Sequence, residues 1–515
     1  MVNYGQFLQM MPEAILVLSL ILLFIVDFCM LKSANKSKVL GYLAVASLLV
    51  LTCYTLFCNE PTSAFGGLYV TSRLANVMKC ILSFGTLIVV IMSQTWLNSN
   101  LVDKLTSEQI VTNNSSTRPL INMSTYAGEF YMLVMSTLLG MFIMVSSGNF
   151  LLFFLGLETA SVPMACLVAF DRLKKQSAEG AAKYILTATF SSGVMLYGIS
   201  FIYGACGSLY FDDVADALTT SLLFDDTLLL PVMGLVFFFS GLGFKLSLVP
   251  FHFWTADTYQ GAPTPVTGYL SVVSKGAAAL ALFIILTKTF APLFEYWQML
   301  MAIVIVLTIT VGNLFAIRQS ELKRFMAFSS ISQAGYIMLA VMGDSSFGGA
   351  ALTYYVLVYV VANMAVFTVI SAVEQASVQH PDSTLNTQRS LFNVYNGFYE
   401  TNPRLAFLMT LALFSLAGIP PFAGMFSKFF VFMAAAGEGS FLAYLVVFVA
   451  LINTVVSLYY YLLIVKAMYI KKTTTPLPYF RSDTTTRLAL ALCTTGIAAF
   501  GIVSCIYEWI AAAAA

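Results

Sequence analysis

Fourteen apolar stretches, each about as long as a lipid bilayer is thick, run through this chain of 515 residues and constrain its fold. A bilayer core takes about 20 apolar residues per helix. The stretches fall near residues 11–31, 38–58, 74–97, 127–147, 149–170, 183–205, 228–250, 264–287, 291–317, 325–343, 349–372, 404–435, 441–469 and 486–510. Only 10% of the residues are charged, against about 25% in soluble proteins. The sequence therefore predicts an all-α polytopic membrane protein and excludes a water-soluble enzyme.

The basic residues fall mostly on one side of the predicted helices. Nineteen of the 25 follow odd-numbered stretches: Lys32, Lys36, Lys38, Lys104, Arg118, Arg172, Lys174, Lys175, Lys183, Arg318, Lys323, Arg324, Arg389, Arg404, Lys466, Lys471, Lys472, Arg481 and Arg487. Arg73, Lys79 and Lys288 lie on the other side. Cytoplasmic loops are rich in Lys and Arg, so we expect both termini on the outer face of a bacterial plasma (inner) membrane, rather than an organelle membrane. The net charge of +1 provides no basic field for nucleic acid.

Three further lysines, Lys245, Lys275 and Lys428, lie inside apolar stretches. A lysine at the bilayer centre costs about 2.5–3.5 kcal/mol, and such residues commonly mark proton or ion paths. Glu158, within LLFFLGLETASVP, is also in mid-span, and Lys245 is its natural ion-pair partner. We predict that these four residues translocate protons. The alternatives are a lysine that reaches the membrane surface from a helix end, and a structural ion pair.

Two of the lysine-bearing helices contain helix-breaking residues. In GLGFKLSLVPFHFW, Pro250 follows Lys245, and in LAGIPPFAGMFSKFF, Gly418, Pro420 and Pro421 precede Lys428. Irregular backbone at membrane depth is tolerated only inside protein or along a wet cavity. One broken helix in each half of the chain, the seventh and the twelfth, indicates two inverted five-helix repeats. A simple proline kink is the alternative.

The predicted divisions of the chain follow from this arrangement. They are a three-helix segment 1–126, repeats 127–290 and 291–470, and a C-terminal helix 471–515.

Polar side chains at helical spacing could relay protons between the lysines. The candidates are His252, Thr267, Ser271, Ser329, Gln333, Tyr336 and Asn453. For any one helix, ordinary packing through hydroxyl and amide groups is the stronger alternative. His252 could instead cap the broken helix.

The chain contains no recognisable cofactor motif. It has neither a phosphate-binding G-x-x-x-x-G-K-[ST] nor a dinucleotide-binding G-x-G-x-x-G after a strand. His252 and His380 are the only histidines, and the eight cysteines form no C-x-x-C pair. We therefore expect no metal site and no redox cofactor in this chain.

Three segments carry a resemblance to a known family. They are HFWTADTYQGAPTPVTGYLSVVSKGAAAL, KRFMAFSSISQAGYI and LFSLAGIPPFAGMFSKFFVF. These segments resemble the antiporter-like membrane subunits of respiratory complex I, the proton-pumping NADH:quinone oxidoreductase. The run Tyr259–Pro263 favours the N type of these subunits. The resemblance extends over about residues 127–470.

The resemblance implies a proton-translocating subunit of an oxidoreductase, without redox chemistry in the chain itself. Glu158 and Lys245 would match the charged residues of the fifth and seventh helices. Lys275 would be the central connecting lysine, and Lys428 the lysine that faces the exit or the neighbouring subunit. We expect protons to enter from the cytoplasmic side at the Lys245–Lys275 region, pass along polar residues to Lys428 and leave outward, with the Glu158–Lys245 distance controlling the loading of Lys245.

The same resemblance implies the partners. NADH, FMN, iron–sulfur clusters and quinone would bind in other subunits. The neighbours would be an M-type subunit, small K- and J-type subunits, the lateral helix of the L type, and membrane lipids. Two alternatives remain open: a subunit of an Mrp-type cation/proton antiporter, and a scaffold subunit that does not pump.

Overall fold

Apolar helices make up most of the computed structural model, which describes residues 4–30, 35–58, 60–98, 123–171, 174–221, 228–343, 345–379, 392–473, 477–503 and 505–514. Within these ranges, thirteen helices are long and apolar enough to span a membrane. The twelfth predicted span consists of two shorter helices, Pro403–Ala417 and Ala423–Ala436. Together they complete the set of fourteen, so the all-α polytopic prediction is confirmed.

The helices follow one another in the predicted order. The N-terminal segment contains α1 (Met11–Cys29), α2 (Lys36–Phe57) and α3 (Arg73–Asn98). The next group is α4 (Ala127–Val145), α5 (Phe150–Val168), α6 (Lys175–Cys206), α7 (Phe211–Ser221), α8 (Leu229–Leu246), α9 (Phe253–Gly261) and α10 (Thr264–Thr289). The second half contains α11 (Phe294–Ile317), α12 (Leu322–Met338), α13 (Ser345–Gln379), α14 (Pro403–Ala417), α15 (Ala423–Ala436) and α16 (Phe441–Tyr469). Helices α17 (Thr484–Ile502) and α18 (Cys505–Ala514) follow.

The two predicted helix breaks are present, and both are wider than a proline kink. Residues 247–252 separate α8 from α9, and Ser247 has a left-handed φ of 61°. Residues 418–422 separate α14 from α15, and Gly418 has a φ of 88°. Lys245 lies in the last turn of α8, whereas Lys428 lies in the second turn of α15. Each break therefore places the end of a helix close to a lysine.

Helix α10 contains an irregularity that the sequence did not predict. Its backbone changes to a π-helical turn over Leu270–Ser274, immediately before Lys275, and again over Ile285–Thr289. The segment LSVVS is apolar and contains neither Gly nor Pro, so no local signal marks it. Single π turns inside α-helices frequently occur at functional sites.

Helices α12 and α13 form the centre of the protein. The apolar windows within Leu322–Met342 and Ser345–Ala376 are wholly buried, whereas those of α1, α2, α16 and α17 are largely exposed. A helix buried on all sides in the middle of a bundle can contact several other spans at once. The polar residues of α12 are therefore well placed to connect distant parts of the chain.

A short β-hairpin packs beside the turn between α4 and α5. Strands β1 (Thr62–Ala64) and β2 (Tyr69–Thr71) pair in antiparallel register. Tyr69 forms a bridge with Ser147, and Asn149 forms one with Tyr210, just before α7. The sequence analysis predicted neither the hairpin nor α7, because both are too short to show the length signal of a membrane span.

The boundaries of three predicted spans differ from the structure. Helix α6 begins at Lys175 rather than 183, and α13 covers Ser345–Gln379 rather than 349–372. Both helices continue past the apolar stretch into flanking sequence that contains no proline. The last predicted span divides after Ile502. Lys32, Lys104, Arg118, Arg172, His380 and Arg389 lie outside the described residues.

Lys79, counted from the sequence with the few basic residues of the other side, does not lie in a loop. Its side chain is completely buried in α3, and Nζ lies 2.7 Å from the Glu13 Oε1 atom of α1. The same ammonium group donates to the Tyr69 hydroxyl at 3.0 Å. Tyr69 in turn donates to Glu13 Oε2 at 2.9 Å. This buried ion pair connects α1, α3 and the hairpin.

Candidate functional site

Lys245 is held by two hydroxyl groups from the fifth and sixth spans. Its Nζ atom donates to Ser161 Oγ of α5 at 2.8 Å and to the Tyr184 hydroxyl of α6 at 3.0 Å. The lysine is only 3% exposed. Trp254 of α9 donates its indole N–H to the Phe244 carbonyl at 3.1 Å, which satisfies one of the carbonyls at the end of α8. Lys245 is therefore buried beside the break, with hydrogen bonds to two hydroxyl groups.

The expected ion pair between Glu158 and Lys245 is not formed in this structure. Among the described residues, the ion pairs within 4.0 Å do not include Glu158. Leu157 and Ser161 lie on the buried face of α5, and Glu158 lies at the half-buried edge of that face. Successive helix positions differ by about 100° in direction. Ser161, three residues further along the helix, therefore takes the place next to Lys245.

Lys275 follows the π turn of α10 and contacts the second half of the chain. Its Nζ atom donates to Ser330 Oγ of α12 at 2.6 Å and lies 5.6 Å from the centre of the Tyr259 ring. The Tyr259 and Ser330 hydroxyls are 3.2 Å apart. The lysine is 1% exposed. The sequence analysis named neither Ser330 nor Tyr259 as a site residue, although Ser330 adjoins the predicted relay residue Ser329.

Lys428 binds the end of the preceding half-helix. Its Nζ atom donates to the Ala417 carbonyl, the last residue of α14, at 2.9 Å. The ammonium also lies 5.0 Å from the centre of the Tyr336 ring of α12. A cation at a helix C-terminus interacts favourably with the helix dipole, and an aromatic face adds a cation–π attraction. The broken twelfth span thus supplies the binding site for its own lysine.

Gln333 of α12 connects several polar groups near Lys428. Its side-chain nitrogen donates to the Tyr461 hydroxyl at 3.2 Å and to the Leu416 carbonyl at 3.3 Å. The Tyr355 hydroxyl donates to its Oε1 atom. Ser329 also forms a hydrogen bond with Tyr461. Since Leu416 precedes the residue that binds Lys428, the amide group lies close to the second helix break.

A cavity of about 10 Å³ separates Gln333 from Lys428. A volume of roughly 10–15 Å³ is what a single water molecule needs. Tyr355, Tyr359 and Ser415 also line it. The hydroxyls of Tyr359 and Ser415 are buried and lack a hydrogen-bond partner within the described part of the chain. One water molecule in this cavity could therefore hydrogen-bond several groups between α12 and Lys428.

Helix α12 contributes polar groups to two lysines. Ser330 contacts Lys275, whereas the Tyr336 ring contacts Lys428 and Gln333 lines the adjoining cavity. These three positions lie within two helical turns. Of the three predicted relay residues on this helix, Tyr336 contacts Lys428 and Gln333 lines the adjoining cavity, whereas Ser329 forms its hydrogen bond with Tyr461.

Three other predicted relay residues take part in helix packing. Thr267 donates to the Tyr259 carbonyl at 3.1 Å. Ser271 accepts a hydrogen bond from the Asn363 amide at 2.7 Å. Asn453 pairs with Asn313 of α11 through its side chain at 3.1 Å and its carbonyl at 3.0 Å. These contacts match the alternative of polar groups that join helices.

His252 precedes α9 but does not cap it. Its side chain makes no capping hydrogen bond, and its ring lies 4.5 Å from that of Phe253. The Nδ1 atom is buried without a partner among the described residues. A relay role for His252 stays a prediction.

An ion-pair network joins α9 to both halves of the chain. Asp257 lies 2.6 Å from Lys183 of α6 and 2.7 Å from Arg324 of α12. Partial burial opposes ionisation of Asp257, but the two cations outweigh it and lower the pKa of this carboxyl below its usual value. Arg324 also donates to Gln260 Oε1 at 2.7 Å. The sequence analysis missed this network, because its members are far apart along the chain.

Nothing in the described ranges indicates a metal centre. No three His, Cys, Asp or Glu side chains in this part of the chain lie close enough together to hold an ion. The absence of a redox cofactor stays a prediction from the sequence.

Residues 147–455 match the family described as "NADH:quinone oxidoreductase/Mrp antiporter, TM". The NADH-quinone oxidoreductase subunit N of Phocaeicola vulgatus is 53% identical over 501 residues, which are 97% of each chain. The protein of the same name from Azobacteroides pseudotrichonymphae is 45% identical over 512 residues, covering 99% of this chain and 98% of the relative. The resemblance identified from three segments is thus confirmed over nearly the whole sequence.

Solved structures have the same fold. A chain of respiratory complex I from Thermus thermophilus is 29% identical and superposes with a TM-score of 0.73, covering 95% of this chain and 97% of that one. A chain of the Mrp complex from Dietzia sp. DQ12-45-1b has a TM-score of 0.79 at 18% identity, covering 98% of this chain and 97% of that one. This second likeness concerns the fold alone. Sequence and structure together show that the chain belongs to the family of NADH:quinone oxidoreductase and Mrp antiporter membrane subunits.

Proposed function

We propose that this chain is the N-type membrane subunit of a proton-pumping NADH:quinone oxidoreductase, respiratory complex I. It moves protons across the membrane while electrons pass from NADH to quinone in other subunits. The proposal is carried by the placement of three buried lysines, each of which lies at a helix break or a π turn. The buried helix α12 contacts two of them, Lys275 and Lys428. The names of the two relatives supply the electron donor and acceptor.

Each lysine occupies a site built to hold an ammonium group. Lys245 and Lys275 bind hydroxyls, and Lys428 binds a helix-end carbonyl. Hydrogen bonds to charged groups contribute about 1.5–3 kcal/mol each. Such bonds offset part of the cost of an ammonium group at membrane depth. The lysines can then hold a proton without a permanent counter-ion.

Hydroxyl and amide groups offer a route for protons between Lys275 and Lys428. A hydroxyl both donates and accepts hydrogen bonds, so it passes a proton along when its two neighbours exchange roles. Ser330 begins this route at Lys275, and Ser329 and Gln333 of the same helix, which both hydrogen-bond the Tyr461 hydroxyl, continue it. The cavity beside Gln333 completes it at Lys428. Protons leave past Lys428 to the outer side, so the direction of transfer is outward.

Loading of Lys245 depends on Glu158 and on the position of the break. Glu158 lies at the edge of α5, where a neighbouring subunit or a shift of this helix changes its distance from Lys245. The carboxylate attracts the protonated lysine more strongly as the two approach. Asp257 ties α9 to α6 and α12, so movement of either helix reaches the break next to Lys245.

The proposed partners are the other membrane subunits of complex I. These are an M-type neighbour, small K- and J-type subunits, and the lateral helix of the L type. An apolar groove of about 590 Å³ beside the first break supports a contact with an apolar helix. Phe190 and Phe253 line it and are 76% and 77% exposed. NADH, FMN, iron–sulfur clusters and quinone belong to partner subunits.

The proposed location is the bacterial plasma membrane, with both termini on the outer side. The distribution of basic residues supports this orientation. The repeat boundaries 127–290 and 291–470 are also proposed from the sequence, because each repeat contains one of the two broken spans.

A second candidate function is that of an Mrp-type cation/proton antiporter subunit, which the fold of the Dietzia complex favours. The two candidates differ in their partners and ions. Purification of the native assembly identifies flavin and iron–sulfur subunits in the first case. In the second case these are absent, and transport in vesicles depends on sodium.

The function is tested in the intact complex with Lys245→Ala and Glu158→Ala, reconstituted in vesicles. We expect proton uptake per NADH oxidised to fall in both variants. Lys288→Ala, which removes an exposed lysine at the end of α10, is the matched control and keeps the wild-type ratio. Full pumping with full oxidoreductase activity in both variants would overturn the proposal. If less complex assembles but the remaining complex moves the wild-type number of protons per NADH, the chain is a scaffold subunit.

A further inference from the structure

A cavity of about 760 Å³ opens between the N-terminal ends of α14 and α17. Three arginines line it: Arg404 in the first turn of α14, Arg481 before α17, and Arg487 in the first turn of α17. All three are exposed. The sequence places them on the side of the chain that is rich in basic residues, where the inner membrane surface is expected.

Asn402 fixes the loop that carries Arg481. Its side-chain nitrogen donates to the Pro478 carbonyl at 3.3 Å, and its oxygen accepts from the Phe480 backbone N–H at 3.3 Å. Asn402 is itself buried, with 3% exposure. The loop is therefore attached to the start of α14, and the cavity has a defined wall.

The lining changes from charged to apolar with depth. Leu405 and Leu408 follow Arg404 along α14, and Leu490 and Ala491 follow Arg487 along α17. At 1.5 Å per residue, these apolar positions lie up to about 6 Å further into the membrane than the arginines. The cavity thus has a positive mouth and an apolar floor. This arrangement complements an anionic phospholipid headgroup and its acyl chain.

No described carboxylate neutralises the positive charge at the mouth of the cavity. None of the three arginines forms an ion pair with a carboxylate in the part of the chain that the structure describes. Asp483, the acidic residue of the adjoining loop, is exposed and does not line the cavity. The N-termini of α14 and α17 add partial positive charge at the same place.

We propose that this cavity binds an anionic phospholipid, with its phosphate at Arg404, Arg481 and Arg487 and an acyl chain between α14 and α17. Arginine is well suited to phosphate because its planar guanidinium forms paired hydrogen bonds. Basic pockets between membrane helices on the cytoplasmic side are suited to anionic headgroups. The proposal rests on the fold and holds whether or not the chain pumps protons.

The lipid would brace the cytoplasmic half of the broken twelfth span. Helix α14 begins at the cavity and ends at Ala417, whose carbonyl binds Lys428. An occupied cavity holds one end of this half-helix against α17, and the other end carries the lysine site.

The probe is a photoactivatable phosphatidylglycerol, diluted into phosphatidylcholine vesicles that contain the assembled complex. Labelled peptides are identified by mass spectrometry. We expect label on α14 and α17, at Leu408 and Thr494 among the lining residues. Unlabelled phosphatidylglycerol removes this label, whereas phosphatidylcholine or inorganic phosphate at the same concentration does not.

The charge requirement is tested with the triple variant Arg404→Ala, Arg481→Ala and Arg487→Ala. Each basic group near the surface contributes about fivefold to anionic-lipid binding, so we expect roughly a hundredfold loss for all three. The corresponding triple lysine variant keeps the three charges and binds more lipid than the triple alanine variant, which separates the effect of charge from that of folding. Arg318→Ala, which removes an exposed arginine at the end of α11, is the control and leaves labelling unchanged.

Three results would overturn the proposal. Unchanged labelling in the triple alanine variant would show that the arginines do not hold the lipid. Competition by inorganic phosphate as strong as that by phosphatidylglycerol would identify a soluble anion as the ligand. Absence of label from α14 and α17 in the assembled complex would show that another subunit fills the cavity.

Discussion

Replacement of Tyr184 by Phe removes one of the two hydrogen bonds that hold Lys245. The Tyr184 hydroxyl is 3.0 Å from Nζ, and Ser161 Oγ, at 2.8 Å, remains as the other partner. The phenyl ring keeps its edge-to-face contact with Trp254 at 5.1 Å between ring centres, so the substitution opens no large cavity. Any effect on pumping then reports the lost hydroxyl.

The size of the effect follows from the energy of that hydrogen bond. A hydrogen bond to a charged group contributes about 1.5–3 kcal/mol. An energy of this size corresponds to about a 10- to 150-fold change in an equilibrium constant. Moving one charge against about 150 mV costs roughly 3.5 kcal/mol. The free energy of the lost hydrogen bond is thus a large part of the free energy needed to move one proton against the membrane potential.

The assay follows NADH oxidation and vesicle acidification together in the reconstituted complex, at several imposed membrane potentials. We expect Tyr184→Phe to assemble normally and to pump fewer protons per NADH, with a larger deficit at higher potential. Tyr197→Phe changes an exposed tyrosine of the same helix and should behave as wild type. Wild-type pumping by Tyr184→Phe at every potential would refute a role for this hydroxyl in holding the proton.

Two further substitutions test the close approach within the broken twelfth span and the buried ion pair. A Cβ atom at Gly424 would lie 1.6 Å from the Ser415 carbonyl oxygen, so Gly424→Ala should separate α14 from α15. We expect this variant to lose proton uptake in vesicles. The control is Gly204→Ala, where the nearest atom is 3.8 Å away, and it should pump as the wild type does. Lys79→Met should destabilise the purified complex by about 3–5 kcal/mol, because it leaves Glu13 buried without its cation. Thermal unfolding measures this loss, and the double variant with Glu13→Leu should recover most of it; equal stability of single and double variants would contradict the reasoning.

Helices marked by a long apolar stretch, and helix breaks marked by proline or glycine, were predictable from the sequence. The fourteen spans follow from apolar length, and the two breaks follow from Pro250 and the Gly418–Pro421 segment. The costs of burying charge and of interrupting a membrane helix are both local, so they are visible in a short stretch of sequence.

Contacts between distant segments were not predictable in the same way. Ser330, Tyr184 and Ser161 hold lysines that lie 55, 61 and 84 residues away along the chain. Helix α12 is buried on every side, so its sequence has no exposed face that would mark which polar residues point towards the lysines. The burial of Lys79 was not predicted for a related reason. It lies near the start of α3, where a lysine usually reaches water, but the β-hairpin and α1 cover it.

The three lysine sites share one design despite their different partners. Each ammonium group has a neutral hydrogen-bond acceptor and lies 5.0–5.8 Å from the centre of a tyrosine ring, that of Tyr184, Tyr259 or Tyr336 respectively, and at Lys245 the tyrosine hydroxyl is itself an acceptor. Neutral partners stabilise an ammonium group less than a carboxylate does. A proton held in this way can be released without breaking a permanent ion pair.

The central claim is that protons pass through Lys275 between the two halves of the chain. The most direct measurement is the number of protons moved per electron in the assembled complex that carries Lys275→Met, a substitution that keeps side-chain length without the charge. The account predicts a lower ratio than in the wild-type complex, with the NADH and quinone sites intact. A wild-type ratio in a fully assembled Lys275→Met complex would contradict it.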